Sequence, residues 1–138
     1  MSVTVKVRNK DKLARKLKQL APAVQQAMAE ANGVTAQEMA ATARGLAPVR
    51  TGTLRNSIGA APAGTATGAW RVSAGGPATT KAARGSSGSY DYALGVEWGT
   101  SDTPRQPFFF TAYRIGAKRH RSRVTRAANK ALKQVAAT

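Results

Sequence analysis

A chain of 138 residues, 42% of them hydrophobic, can bury one modest core and is short for two, so residues 1–138 read as a single domain. No apolar run approaches the ~20 residues of a membrane span, the N-terminus lacks the apolar stretch of a signal peptide, and the absence of cysteine excludes disulfides and thiolate metal sites. The expectation is a soluble protein, made in the cytoplasm, that packing or neighbouring subunits must stabilise; against six acids stand 22 Lys and Arg, a formal +16, which directs the surface toward nucleic acid, anionic membrane or acidic protein.

The cations crowd the two ends. Lys6, Arg8, Lys10, Lys12, Arg15, Lys16 and Lys18 precede residue 20, and no acid follows Asp102, whereas the glycine-bearing middle is nearly neutral. Val3, Val5 and Val7 alternate with polar residues, the pattern of a short strand with one exposed face. Asn9 or Asp11 then caps a helix with Leu13, Leu17 and Leu20 on one side and basic residues on the other, until Pro22 interrupts or kinks it. Val24, Met28, Ala31, Thr35 and Met39 recur near helical spacing, so a helix about 34 Å long is expected from Pro22 to Arg44, with Gly33 as its weak point.

Leu46 to Ile58, LAPVRTGTLRNSI, reads as a turn in which Thr51 or Thr53 caps a short helical segment and Leu54 and Ile58 point the same way. Ser57 to Ala60 and Ala69 to Ala74 follow as antiparallel strands joined by a Gly, Ala and Thr loop. Gly75 to Ser89, with repeated Gly and Ser, reads as a mobile loop. Beyond YDYALGVEWGT (Tyr90 to Thr100), Pro107 precedes Phe108, Phe109 and Phe110; burying one such ring stabilises by ~1.5–3 kcal/mol, so the three mark core or interface. Residues 107–138 carry Tyr113, Val124, Leu132 and Val135 as sparse apolar anchors and are expected to form a second long helix with a wide basic face. The fold class is α+β, with long helices packed on a small antiparallel sheet.

Ala47, Pro48, Thr51, Gly52, Leu54, Ser57 and Ile58, then Tyr92, Ala93, Val96, Glu97, Trp98, Gly99 and Thr100, then Pro107 and Phe108, stand in an order that resembles the head-tail joining (neck, tail-completion) family of siphophages. That family is similar to the minor tail protein Z group of lambda-like phages, and the resemblance spans Gln26 to Tyr113. Val49 and the strong basicity of the C-terminus depart from its pattern. The resemblance implies a non-catalytic α+β subunit, without cofactor or metal, that joins a ring between capsid connector and tail tube. Its place would be the virion, at the head-tail junction, after assembly in the host cytoplasm. Contacts with subunits or partners are expected at Pro48, Arg50, Thr51, Gly52, Leu54, Trp98, Gly99 and Phe108, and at Lys118, Arg119, Arg121, Arg123 and Arg126. The expected partners are copies of the chain in a homo-oligomeric ring, taken as a hexamer from the usual sixfold symmetry of tails, with connector, neck and tail-tube proteins around it. Genomic DNA in the bore is a further contact, and no membrane partner is expected.

Enzyme motifs fail on the residues themselves. Gly59 to Gly64 has the glycine spacing of a phosphate loop, but Thr65 stands where a lysine must reach the phosphates. His120 is the single histidine and reads as a solvated residue on a basic helix. Glu97 pairs with an arginine or caps a backbone, since neither Asp91 nor Asp102 makes a catalytic motif with it. Trp70 and Trp98 read as core more than interface. The alternative function is a nucleic-acid-binding protein whose basic termini grip phosphates non-specifically. Yet six copies carry about +96, whereas duplex DNA presents roughly 24 phosphates along a ~40 Å bore, so most of the basic surface must face something else, acidic neighbours above all.

Overall fold

The computed structural model describes residues 10–64 and 68–138; the strand expected over Val3 to Val7 and the capping position Asn9 lie outside the described residues. Helix α1 (Lys10–Leu46) runs for 37 residues, about 55 Å, with Asp11 in its first turn and Arg44 in its last, each suited to the dipole at its end. Pro22 lies inside it, so the two expected helices are one. The proline removes one backbone donor at an exposed position, and the Ala, Gln, Met and Glu that follow favour helix strongly enough to carry the chain through.

Helix α4 (Phe109–Ala137) returns antiparallel along α1. Lys16 Nζ donates to the Ala136 carbonyl (3.3 Å) at one end of the pair, and Arg123 meets Glu38 near its middle. The packed stripe of α1 is made of alanines: Ala36, Ala40 and Ala43, with Ala47 just beyond the helix, recur at i, i+4, i+7 and i+11 and are all buried. Ala112 and Gly116 of α4 are buried as well, and side chains this small let two helices approach closely. Each alanine removes little surface from water. The large buried side chains are few, chiefly Leu54, Ile58 and Phe108, each contributing ~1.5–3 kcal/mol.

Between the long helices the chain builds small elements that lean on this core. Helix α2 (Thr53–Ser57) delivers Leu54 into it, and Ile58 follows from the C-cap position. Strands β1 (Gly59–Pro62) and β2 (Trp70–Ser73) pair antiparallel, Gly59 opposite Ser73 and Pro62 opposite Trp70. The expected strands are therefore present, but Ser57 ends a helix instead of starting one of them. Asn32 of α1 donates its side-chain amide to the Gly68 carbonyl (2.9 Å), and the Trp70 indole lies over Gly33, where an added Cβ would come within 3.0 Å of the ring. The residue that weakens the helical pattern makes room for a tryptophan.

The stretch read as one loop carries secondary structure. A 3₁₀ turn (Pro77–Thr79) leads into β3 (Thr80–Ala82), which pairs antiparallel with β4 (Ser89–Asp91). Its anchor is polar. The Asp91 carboxylate accepts from the Gly76 N–H (2.7 Å), the fully buried Thr79 hydroxyl (2.6 Å) and the Ala93 N–H (2.9 Å), so it ties the turn down and caps α3 (Tyr92–Trp98). Two long antiparallel helices with two small antiparallel sheets make the chain α+β, as expected, with two sheets in place of one.

Candidate functional site

The most heavily constrained geometry lies where α3 hands over to α4. Gly99 adopts a left-handed φ of 81°, a conformation costly for other residues, and ends α3. The chain then doubles back: Thr100 N–H donates to the Thr103 carbonyl (2.9 Å), Thr103 N–H donates to the Thr100 hydroxyl (3.1 Å), and Gln106 N–H reaches the Val96 carbonyl (2.8 Å). This reversal brings the start of α4 over Glu97. The buried carboxylate, 5% exposed, accepts from the backbone N–H groups of Phe108 (2.8 Å), Phe109 (2.9 Å) and Phe110 (3.1 Å). Of the two roles open to Glu97 from the sequence, the structure shows the backbone cap, satisfying donors that a helix start cannot satisfy itself. Phe108 is thereby driven into the core.

The segments Leu46 to Ile58 and Tyr90 to Thr100, far apart in sequence, meet across one cleft of about 460 Å³. Pro48, Arg50, Thr51, Gly52 and Leu54 line one side, and Tyr92 and Val96, one turn apart on α3, line the other. Gly52 occupies the N-cap position of α2 at φ 81°; no side chain caps that helix, and the Thr51 and Thr53 hydroxyls bond each other instead (3.0 Å). The expected threonine cap is replaced by the glycine's conformation. Lys81, on β3, reaches the cleft with its ammonium 5.3 Å above the Tyr92 ring.

On the opposite face of α3 the surface is apolar and open. Leu94 and Trp98 recur at i and i+4 and are 62% and 63% exposed, so the reading of Trp98 as core is corrected. Trp98 rests against Phe110 (centroids 5.5 Å apart), which meets Phe109 edge-on (5.7 Å), and Tyr113 continues the patch along α4. Of the three phenylalanines, one is core, one half-buried and one exposed. The i, i+4 pairing of Leu94 and Trp98 opposite Tyr92 and Val96 was the signal in the sequence that α3 carries two different faces.

The five α4 cations do not join the cleft. Arg119 and Arg123 both bind Glu38 of α1 (3.1 and 2.6 Å), so the helix lacking its own acids is paired from across the core. Arg123's hydrogen bond, first, and the charges of both arginines hold the Glu38 carboxyl below its ordinary range, against the opposing effect of burial. His120 is not solvated: it is 8% exposed, its ring fills the space that a side chain at Gly116 would need, and Nδ1 lies 3.8 Å from Glu38. Burial pushes its pKa down, the Glu38 charge pulls it up, and Arg123 and Arg119 push it down further. Lys118, Arg121 and Arg126 remain exposed; with Arg114, the first two form a stripe at i, i+4, i+7. Among the described residues no His, Asp and Glu are grouped to hold a metal ion, and no helix is long and apolar enough to cross a membrane.

The chain belongs to the family described as "Bacteriophage HK97-gp10, putative tail-component", whose model matches residues 11–99, more than half its length. Membership makes it a tail-associated phage structural protein that works among other structural proteins of the particle, and the family is one of tail components, not of enzymes. No curated protein and no solved structure matches the chain.

Proposed function

We propose that this chain joins head and tail of a tailed phage or phage-like particle as a connector, tail-completion or tail-terminator ring subunit, kin to the minor tail protein Z group. The observation that carries the reading is the meeting of the two motif-bearing segments on one apolar cleft, with Pro48, Arg50, Thr51, Gly52 and Leu54 facing Tyr92 and Val96. Apolar surface that a 138-residue monomer leaves open is surface for association. Light scattering on the purified chain across a range of concentrations tests this: the mass should rise to a multiple of 14.4 kDa, six copies for a hexameric ring.

The exposed stripe of Arg114, Lys118 and Arg121 is open to acidic neighbours and supports as well a non-specific contact with genomic DNA inside such a ring. The same stripe is what a free nucleic-acid-binding protein would use. A one-chain mass at every concentration, together with tight DNA binding, would favour that second reading.

A further inference from the structure

We infer that the aromatic patch on the outer face of α3 is a docking surface for an acidic, apolar-anchored segment of a different protein of the particle, an inference that rests on the structural role proposed above. The patch joins Leu94, Trp98, Phe110 and Tyr113, all exposed. Two hollows, of about 300 and 460 Å³, border Trp98, and Arg105 and Arg114 line the second of them. Trp, Tyr and Arg around apolar hollows are the composition of an interface centre.

Charge selects the occupant. The chain has six acids, and three are spent internally: Glu38 on Arg119 and Arg123, Asp91 on the turn before β3, Glu97 on the start of α4. Glu97 borders both hollows, yet its two oxygens already accept three backbone N–H groups. That leaves Asp11, Glu30 and Asp102 against the cations other than Arg119 and Arg123, which Glu38 engages, out of 22 Lys and Arg in all. Copies of this chain can meet through apolar surface but have almost no carboxylate to bring to Arg105 and Arg114. A different protein, with acids around an apolar side chain, satisfies both requirements. Single-stranded nucleic acid fits less well. Stacked bases need separate open ring faces, whereas Trp98 and Phe110 lean together at 46° and Phe110 stands edge-on to Phe109 at 85°, making one continuous apolar knob with Leu94.

Leu94 is exposed and outside the core, so a photo-crosslinking amino acid can replace it in the full chain during particle assembly. Mass spectrometry of the crosslinked peptide then identifies what touches the patch. The expected product is a segment of another structural protein in which acids outnumber bases, its yield falling about tenfold in Arg105→Glu/Arg114→Glu while the purified variant melts like the parent. A crosslink to a second copy, to DNA, or to a neutral or basic segment overturns the inference, as does no crosslink in assembled particles. An acidic partner that is no part of the particle would sink the head-tail reading and leave the acidic docking chemistry standing. A second copy would do the reverse.

Discussion

Replacing Glu97 by alanine removes the acceptor of three backbone N–H groups at the start of α4, where no side chain of the N-cap residue takes its place. Loss of a buried charge-assisted cap of this kind is predicted to lower stability by about 2–3 kcal/mol in urea unfolding. Trp98→Ala, one position on, touches exposed surface and should change stability by less than about 1 kcal/mol while blocking assembly. Acid should loosen the contact between the long helices through two groups with depressed pKa. His120 is favoured neutral in the fold, so its contribution is complete above its ordinary pKa of 6.5 and is lost as pH falls from there through the folded value. Glu38 adds a second loss below 4.5. Thermal melts from pH 7 to 5 should show the first loss, and His120→Gln should flatten it; an unchanged slope would remove His120 as its source. Glu97 was legible as a cap or an ion pair because it stands in an apolar run. His120 was not, because Lys118, Arg119 and Arg121 around it are exposed while the ring turns back over Gly116, a space visible only once α4 lies on α1.

At the scale of elements, periodicity is a good guide wherever one face is packed. The Leu54 and Ile58 pair follows from spacing, and so do the two strands, although the first begins at Gly59 and not at Ser57; the packed stripe of α1 is instead Ala36, Ala40, Ala43 and Ala47, and of the expected Val24, Met28, Ala31, Thr35 and Met39 only Ala31 is buried. Pro22 misleads because its local penalty of ~3 kcal/mol falls at an exposed position and is set against a helix of 37 residues whose second half is packed through Ala31, Ala36, Ala40 and Ala43. Residues 75–89 mislead because their tether is the Asp91 carboxylate, not an apolar side chain. Hydrogen exchange should divide this region. The Thr79 amide, bonded to the Gly76 carbonyl, is expected to be protected in the free subunit, and the tip from Arg84 to Ser87, beyond the Ala83 N–H bond to the Gly88 carbonyl, to exchange fast there and slow down in the assembled particle. Strong protection of the tip in both states would mean that assembly does not order it. Asp91→Ala should release Thr79 as well.

Over the whole molecule, a formal +16 with half of the acids engaged internally makes a subunit that finds its anions elsewhere. Neutralising Lys118, Arg121 and Arg126 should weaken head-to-tail joining while packaged genomes stay intact; salt should weaken the parent's joint in the same way, since exposed charges are screened over ~8–10 Å at ordinary ionic strength, and should affect the neutralised variant less. Arg119 and Arg123 are unsuitable for that test because their loss also breaks the pairing with Glu38. Normal joining by the neutralised variant, with lost affinity for bare DNA, would move the basic face from docking to the genome. The central claim, a structural subunit of the head-tail joint, is tested most directly by electron microscopy of particles made without this chain. The account predicts DNA-filled heads and finished tails lying unjoined, rescued by the parent chain. Complete tailed particles at normal yield would contradict it.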